Sequence, residues 1–255
     1  MARSRNQAAA LVEAERVLID GRVARKPSQD VLDESTLKLL EAVDYVSRAG
    51  HKLASALDSF GELDLQGKVA LDVGASTGGF TDVLLRRGVS RVIAIDVGHD
   101  QMVPELKENS RVTCIEGFNA RELSPDTLAA LIGELPEFGV VVADLSFISL
   151  TLVLDSMLSV APDADYVLLV KPQFEVGRQS LSARGLVTDY RQRAAAVMQV
   201  LDHASKLGLG VKAVTKSELP GTHGNIEYVL WLNKACTSYP SEWSDRVSKL
   251  AREGR

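Results

Sequence analysis

The chain has 255 residues, of which 45% are hydrophobic and 25% are charged, so it can bury a core and is not a mostly disordered protein. Its net charge of −5 argues against a globally basic coat for nucleic acid, and no run of about 18 uncharged apolar residues is long enough to span a bilayer. Two distant cysteines, Cys114 and Cys236, exclude a disulfide scaffold and a cysteine-rich zinc site. Together with an N-terminus that lacks a secretory apolar segment, they predict a cytoplasmic location.

The first 45 residues are predicted to form a small unit and a linker. Residues 3–17 have the spacing of a helix, and a hairpin is expected over residues 17–24 with Asp20 and Gly21 at its turn. Residues 1–28 carry six basic and three acidic side chains, a net charge of +3, and an acidic connector follows over residues 29–44. By charge alone, both segments are typical of ordinary protein surface.

From Ser47 onward, helices and strands alternate. Ser47 and Gly61 are expected to begin and end the first helix. Continuous apolar runs predict strands at 69–73, 91–96, 111–116, 139–144, 166–171, 210–216 and 226–232, with helices at 79–88, 101–109, 124–133, 149–160 and 188–207. The pattern predicts a doubly wound α/β domain over residues 46–236, with a mostly parallel seven-stranded sheet and an antiparallel last strand. Residues 237–255 remain as a C-terminal tail.

A glycine-rich segment, DVGASTGGF at residues 72–80, follows the first strand of this domain and opens the next helix. Ligands of open α/β sheets bind beyond the carboxyl ends of the strands, and glycines let the backbone approach them. The spacing matches neither the G-x-G-x-x-G dinucleotide fingerprint nor a P-loop. The alternative is a structural turn whose small residues serve packing.

Asp96 ends the second strand of the domain, about 20 residues further on, where an acid can accept hydrogen bonds from both hydroxyls of a ribose. A glycine loop and an acid without a phosphate fingerprint predict an adenosine ligand that lacks pyrophosphate, and S-adenosylmethionine fits that description. The alternative for Asp96 is a helix N-cap. The candidate cofactor-binding residues are Asp72, Gly74, Ala75, Ser76, Thr77, Gly78, Gly79, Phe80, Asp96, Asn119 and Asp144.

Four charged residues stand at the ends of elements that we expect to meet at the carboxyl edge of the sheet. Asp144 ends the fourth strand and Lys171 ends the fifth. Glu227 begins the last strand, and Lys52 lies on the helix before the glycine loop. A lysine at the tip of a buried strand is unusual, because a buried charge needs partners. Each residue alone is equally well explained as a solvated strand end, but the set at one edge indicates a site.

Five motifs in order resemble the TlyA (hemolysin A) family: YVSRAGHKL at 45–53, DVGASTGGFT at 72–81, ADLSFIS at 143–149, LVKPQFE at 169–175 and GNIEY at 224–228. The resemblance covers about residues 3–234. It implies a Rossmann-like methyltransferase that moves a methyl group from S-adenosylmethionine to a ribose 2′-hydroxyl of ribosomal RNA. Related ribose methyltransferases use a Lys-Asp-Lys-Glu tetrad, which by motif corresponds to Lys52, Asp144, Lys171 and Glu227.

The resemblance also implies an RNA partner. Residues 3–28 resemble part of an S4-type RNA-binding domain, and the candidate RNA-binding residues are Arg3, Arg5, Arg16, Arg48 and Arg184. Because family members usually begin with a further helix before the matching segment, we expect the S4-type segment of residues 1–45 to be partial. The implied partner is ribosomal RNA or a ribosomal subunit, with no membrane, metal ion or obligate protein partner.

The chemistry implied is an in-line displacement in which a ribose 2′-oxygen attacks the methyl group of a sulfonium. The hydroxyl must lose its proton, and Lys171 is the expected base, while Asp144 and Glu227 orient the lysines. Phe80 and Phe147 are expected to pack in the core or against the cofactor rather than to stack on a base. Three alternatives remain: a membrane-active haemolysin-like protein, a non-catalytic RNA-binding assembly factor, and a nicotinamide dehydrogenase.

Overall fold

A computed structural model describes residues 5–13, 17–19, 22–24, 26–32, 34–39, 45–221 and 224–253. The chain divides into two compact units, residues 1–44 and residues 45–255.

The described residues of the N-terminal unit form one helix and three short strands: α1 (Arg5–Glu13), β1 (Val17–Ile19), β2 (Arg22–Val23) and β3 (Leu37–Leu39). The strands form an antiparallel sheet in the order β2-β1-β3. The helix and the hairpin strands agree with the sequence analysis, whereas the predicted turn residues Asp20 and Gly21 lie outside the described residues. Strand β3 was not predicted, because three residues within an acidic, polar stretch give no periodic pattern.

The second unit opens with a helix and then alternates strands and helices. Its elements are α2 (Arg48–Phe60), β4 (Val69–Val73), α3 (Gly79–Arg86), β5 (Arg91–Asp96), α4 (Pro104–Lys107), β6 (Val112–Glu116), α5 (Pro125–Ile132), β7 (Val140–Ala143), α6 (Leu154–Val160), β8 (Asp165–Val170), α7 (Pro172–Glu175), α8 (Tyr190–Lys206), β9 (Gly210–Lys216), β10 (Tyr228–Asn233) and α9 (Ser244–Arg252).

The predicted elements of the second unit are present, but two of the predicted helices are shorter than expected. The helix expected at 101–109 is the single turn α4, which begins only at Pro104. The helix expected at 149–160 is divided, because Ser149 caps a separate 3-10 turn at residues 150–152 before α6 begins. Ser47 stands at the N-cap of α2, but its side chain makes no capping hydrogen bond, contrary to the expectation.

The seven strands of this unit form one sheet in the order β6-β5-β4-β7-β8-β10-β9. Neighbouring strands from β6 to β8 pair in parallel, and β10 runs antiparallel to both β8 and β9. The predicted fold class is therefore confirmed. Because β10 is reversed, the residue that precedes it lies at the same edge as the carboxyl ends of β7 and β8.

Apolar side chains cover both faces of this sheet, which explains the continuous apolar runs in the sequence. On one face, Leu71 and Val141 pack in a core with side chains of α6, α8 and α9. On the other face, Ala70 and Val142 pack with side chains of α2 and α3. The two layers of helices hold the sheet rigidly, so its carboxyl edge is a fixed platform.

The C-terminal residues after 236, which the sequence sets apart as a tail, include α9, whose buried side chains join the core on one face of the sheet. Arg193 of α8 is buried and links α9 to the segment before α8. Its guanidinium donates hydrogen bonds to the carbonyls of Val187 at 3.0 Å, Thr188 at 2.9 Å and Ala251 at 2.7 Å. The end of α9 is thus fixed to the start of α8.

Candidate active site

The glycine-rich loop turns at the carboxyl end of β4 and passes close to the loop that follows β7. Gly74 has a φ of +83°, and a Cβ atom at this position would lie 2.8 Å from the carbonyl oxygen of Asp144. Ser76 also has a positive φ, +46°, which is uncommon for a residue with a side chain. A glycine at position 74 is therefore required both by backbone conformation and by the close approach of the two loops.

Asp96 at the end of β5 holds the glycine loop in place. Its carboxylate accepts hydrogen bonds from the backbone amides of Ser76 at 2.8 Å and Gly98 at 2.7 Å. An ionised carboxylate has about four acceptor positions, so two remain for a ligand. The half-buried Asp96 also lines a cavity of about 450 Å³ beside the loop, together with Gly74, Phe118 and Asn119.

A second cavity of about 400 Å³ lies on the other side of the glycine loop, lined by Ala75, Thr77, Gly79, Phe80, Arg48 and Lys171 among others. The two cavities share the lining residues Gly74, Ser76, Asp144 and Ser146, so they form one cleft along the carboxyl edge of the sheet. Of the candidate cofactor-binding residues, Asp72 and Gly78 do not line this cleft. Asp72 is buried beneath it, and Gly78 packs against Leu106.

The four residues matched to the tetrad form two lysine–carboxylate ion pairs. Lys52 Nζ lies 2.5 Å from Glu227 Oε2, and Lys171 Nζ lies 2.7 Å from Asp144 Oδ1. The first pair is the more deeply buried, with 10% of the Lys52 side chain and 2% of the Glu227 side chain exposed. Lys171 also donates a hydrogen bond to Ser146 Oγ at 2.8 Å, so its amine is held from two sides.

Strand register brings the two pairs to neighbouring positions at the sheet edge. Val170 of β8 is paired with Tyr228 of β10, so Lys171 and Glu227 are the next residues outward on adjacent strands. Asp144 directly follows β7, which lies on the other side of β8. Helix α2 supplies Lys52 from the face above. The four residues therefore come from four different elements that meet only in the folded chain.

The loop before β10 presses on the carboxylate of Glu227. A Cβ atom on Gly221 would overlap Glu227 Oε1, at a distance of only 1.9 Å. The backbone carbonyl of Glu227 accepts a hydrogen bond from Ser217 at 2.9 Å. Gly221 thus limits where the Glu227 carboxylate can lie, a role that the sequence analysis did not find, because the sequence alone does not reveal which glycines touch a distant side chain.

Glu175 is a second residue that sequence reasoning missed. Its buried carboxylate accepts hydrogen bonds from Ser149 Oγ at 2.5 Å and from the amide of Leu150 at 2.9 Å. Burial raises the pKa of this carboxyl group, and the hydrogen bonds from Ser149 and Leu150 oppose that rise. Glu175 thus ties the end of the loop that carries Asp144 to the helix that begins after Lys171.

Phe147 was expected to pack in the core or against the cofactor, and the first of these placements is wrong. Its side chain is 91% exposed, and its backbone has a φ of +66°. A bulky residue in this conformation is an outlier that the surrounding structure must hold. The ring centroid lies 5.2 Å from that of Phe174, and Phe147 is one of the residues that line the first cavity. Phe80, by contrast, is buried in the core, as expected.

Asp72 is fully buried at the end of β4, beneath the glycine loop. Thr81 donates a hydrogen bond to its Oδ2 at 2.6 Å, while Oδ1 is buried without a partner in the described part of the chain. Desolvation raises the pKa of Asp72 to about 7, against the hydrogen bond from Thr81, and the charges of Asp144 and Asp96 raise it further. A buried oxygen without a partner at this position suits a cationic or hydrogen-bond-donating ligand group.

The RNA-binding candidates lie in different parts of the chain. Arg48 is exposed at the start of α2, lines the second cavity and donates to the carbonyl of Pro220 at 3.3 Å. Arg5 is exposed on α1 of the N-terminal unit, and Arg184 is exposed between α7 and α8. Arg3 and Arg16 lie outside the described residues.

The described ranges contain neither a cluster of metal ligands nor a membrane-spanning helix. Within them, no three His, Cys, Asp or Glu side chains are grouped so that they can hold a metal ion. Nor does any described helix have the length and apolar character needed to cross a membrane.

Comparison with known families and proteins identifies the fold. The FtsJ-like methyltransferase family matches residues 45–234, and the S4 domain family matches residues 1–37. The 16S/23S rRNA (cytidine-2′-O)-methyltransferase TlyA of Mycobacterium tuberculosis is 46% identical over 235 residues, which cover 91% of this chain and 85% of that protein. The chain belongs to the TlyA (hemolysin A) family of FtsJ-like methyltransferases. The family expectation and the S4-type resemblance are confirmed.

Two further relatives agree with this assignment. Hemolysin A of Brachyspira hyodysenteriae is 35% identical over 227 residues, which cover 89% of this chain and 92% of that protein. The solved structure of a protein described as a hemolysin from Streptococcus thermophilus superposes with a TM-score of 0.77 at 34% identity, and covers 99% of this chain and 90% of that one.

The fold is that of the S-adenosylmethionine-dependent methyltransferases, as expected. A structure described as such an enzyme, from Listeria monocytogenes, shares it with a TM-score of 0.54 at 15% identity and covers 74% of this chain and 100% of that one. The protein is therefore a methyltransferase of the TlyA family, and the nicotinamide dehydrogenase alternative is overturned.

The buried carboxyl group of Asp72 predicts a pH dependence of stability. Since its pKa is raised from 3.8 to about 7 in the folded protein, the folded state holds a proton that the unfolded state loses, and stability falls as pH rises between these values. In urea unfolding between about pH 5 and pH 8, we expect the free energy of unfolding of the wild type to fall by roughly 2–4 kcal/mol more than that of Asp72→Asn. Parallel pH curves for the two proteins would contradict the burial argument.

Proposed function

We propose that the protein transfers a methyl group from S-adenosylmethionine to a ribose 2′-hydroxyl of ribosomal RNA, with Lys52, Asp144, Lys171 and Glu227 as the reacting tetrad. The observation that carries this proposal is the pair of lysine–carboxylate contacts at one edge of the cleft. The activity for which the Mycobacterium tuberculosis relative is named, methylation of a cytidine 2′-oxygen in 16S and 23S rRNA, supports the same reaction.

The cleft suits S-adenosylmethionine. In our proposal, the first cavity takes the adenosine, and the two free acceptor positions of Asp96 take the ribose hydroxyls. The glycine loop admits the cofactor close to the backbone, and the unpartnered Oδ1 of Asp72 lies beneath it as an acceptor for the α-ammonium group of the methionine portion. When bound, S-adenosylmethionine supplies a methyl group on a positively charged sulfur atom.

The tetrad residues hold the attacking oxygen and remove its proton. A bond forms between the 2′-oxygen and the methyl carbon as the carbon–sulfur bond breaks, and its electron pair goes to sulfur. The ammonium of the Lys171–Asp144 pair first releases a proton to solvent; the resulting amine then accepts the hydroxyl proton, and Asp144 stabilises the ammonium that forms again. The buried pair of Lys52 and Glu227 fixes the ribose from the other side. Such positioning lowers the activation free energy by roughly 7–11 kcal/mol.

Three features support RNA as the substrate. Residues 1–37 match the S4 domain family, whose type of domain binds RNA, and Arg5 is exposed there. Arg48 is an exposed cation in the wall of the second cavity, beside Lys171. The exposed ring of Phe147 stands at the cleft, where it is free to stack on a base. In the proposed complex, the target nucleotide enters the second cavity, which Arg48 and Lys171 line.

Replacing Lys171 removes the proposed base. We expect Lys171→Ala to reduce methyl transfer to ribosomal RNA by at least about 100-fold, because general base catalysis contributes that much. Its affinity for S-adenosylmethionine, measured by calorimetry, should stay within about threefold of the wild type, a range of less than 1 kcal/mol. Lys234→Ala, which removes an exposed lysine at the opposite edge of the sheet, is the control and should retain full transfer. Near-normal transfer by Lys171→Ala would reject the role.

The close contact of Gly221 with Glu227 allows a test that leaves the tetrad residues unchanged. An added methyl group overlaps the carboxylate, so Gly221→Ala should displace Glu227 from Lys52 and lower kcat by roughly 10- to 100-fold, with little change in KM for the cofactor. The matched control is Gly177→Ala, because φ at Gly177 is −64° and a Cβ there comes no closer than 3.3 Å to a flexible side chain. Equal kcat values for the two variants would argue against a positioning role for Glu227.

A further inference from the structure

A cluster of cations lies outside the cleft, around the ring of Tyr190. Tyr190 begins α8, and the guanidinium carbons of Arg191 and Arg252 lie 5.7 Å and 5.3 Å from its ring centroid. Lys216, the last residue of β9, reaches the end of α9 and donates a hydrogen bond to the carbonyl of Glu253 at 3.3 Å. We call Tyr190, Arg191, Lys216 and Arg252 the Tyr190 cluster.

Within the described residues of the second unit, no direct ion pair neutralises the charges of the Tyr190 cluster. Within residues 45–221 and 224–253, no carboxylate oxygen lies within 4.0 Å of the side-chain nitrogens of Arg191, Lys216 or Arg252. Asp189 is the nearest acid in sequence, and its carboxylate accepts a hydrogen bond from the backbone amide of Arg191 at 2.8 Å. Two guanidinium groups thus share one ring with no carboxylate in direct contact.

The position of Arg191 is not explained by stability. Lys216 and Arg252 stand at the C-terminal end of α9, where cations interact favourably with the helix dipole. Arg191 lies in the first turn of the 17-residue helix α8, where a cation opposes the dipole and an anion is favoured. The phenol responds to these charges: hydrogen bonding and the charge of Arg191, with a further contribution from Arg252, lower the pKa of Tyr190.

The backbone of Lys216 places one end of the Tyr190 cluster at the same edge of the sheet as the tetrad. Lys216 is paired with Tyr228, the residue that follows Glu227, and the amide of Ser217 donates to the carbonyl of Glu227. One strand spacing, about 4.8 Å, therefore separates the backbone at Glu227 from the backbone at the end of β9, where Lys216 lies. An RNA strand with one nucleotide in the cleft has further phosphates to place along this edge.

We propose that the Tyr190 cluster binds backbone phosphates of the substrate RNA next to the methylated nucleotide. This inference rests on the proposed function and extends it to a surface beyond the cleft. Guanidinium groups form paired hydrogen bonds to phosphate oxygens, and the ring of Tyr190 holds both of them in advance. Such contacts fix the position of the strand and carry no sequence information. A polyanion matches the uncompensated charge and adjoins the site where its own nucleotide reacts.

The experiment uses the full chain and ribosomal RNA extracted from bacterial cells as the probe. Binding is measured without S-adenosylmethionine over a series of salt concentrations, for the wild type and for Arg191→Gln with Arg252→Gln. Each lost phosphate contact should lower the slope of log affinity against log salt by about 0.7–0.9, so the double variant should lose about 1.4–1.8. Near 100 mM salt, we expect its affinity to fall by roughly tenfold or more.

The control has the same loss of charge at the other edge of the sheet. Lys212 is exposed near the start of β9 and Lys234 is exposed after β10, so Lys212→Gln with Lys234→Gln should leave the salt slope unchanged. If both double variants lost the same amount of salt slope, the loss would be explained by net charge alone, and the proposal would be overturned. An unchanged slope in the cluster variant would overturn it as well.

Two further measurements keep the result interpretable. Arg191→Gln alone removes a cation from a helix N-terminus, so it should fold at least as stably as the wild type and still lose about half of the slope change. A failure of the proposed function gives a different result. The wild type would then transfer no methyl group to RNA, while the salt slopes of the variants would be unaffected. A variant with reduced stability and an unchanged slope would assign the cluster to helix packing alone, which contradicts the proposal.

Discussion

The pairing of two lysines with two carboxylates at the carboxyl edge of the sheet is the interaction on which the arrangement of this domain depends. A charge taken out of water is costly, and it is tolerated only when its partner is held in good geometry. Lys52 and Glu227 are almost completely buried, yet they stand 175 residues apart in the chain. The reversed strand β10 and the helix α2 are what bring them together. The second pair, Lys171 and Asp144, depends in the same way on the adjacent parallel strands β7 and β8.

The loops around these ion pairs are held by contacts between different loops rather than by contacts within one loop. Asp96 accepts a hydrogen bond from the Ser76 amide of the glycine loop, and Glu175 accepts one from the Leu150 amide, which follows the loop that carries Asp144. Gly221 lies against the carboxylate of Glu227. The cost of this arrangement is visible in the raised pKa values of the buried carboxyl groups of Asp72 and Glu175. The apolar side chains buried on the two faces of the sheet offset this cost.

Much of the domain could be predicted from its sequence, because strands buried on both faces leave unbroken apolar runs. The bounds of β4, β5 and β9 follow directly from such runs, and the reversed β10 follows from the short loop before it. The meeting of Lys171 and Asp144 follows from their places at the ends of parallel strands. Their pairing with a specific partner does not, because it depends on side-chain geometry across the sheet.

The remaining features arise from backbone geometry or from contacts between distant segments, which a local pattern does not encode. Phe147 has the composition of a core residue, but a positive φ in its loop turns the ring into solvent. Gly221 and Glu175 act only through residues far along the chain. Strand β3 is too short to show a period, and it forms by pairing with β1. The family resemblance named the tetrad but predicted none of these neighbours.

The most direct test of the account is the chemical position of the transferred methyl group. The purified protein is incubated with ribosomal RNA and S-adenosylmethionine that carries a labelled methyl group, and the RNA is then hydrolysed in alkali. Methylation of a 2′-oxygen blocks cleavage of the adjacent phosphodiester, so the account predicts that the label is recovered in alkali-resistant dinucleotides. Recovery of the label in mononucleotides, as from a methylated base, or the absence of any transfer to RNA would contradict it.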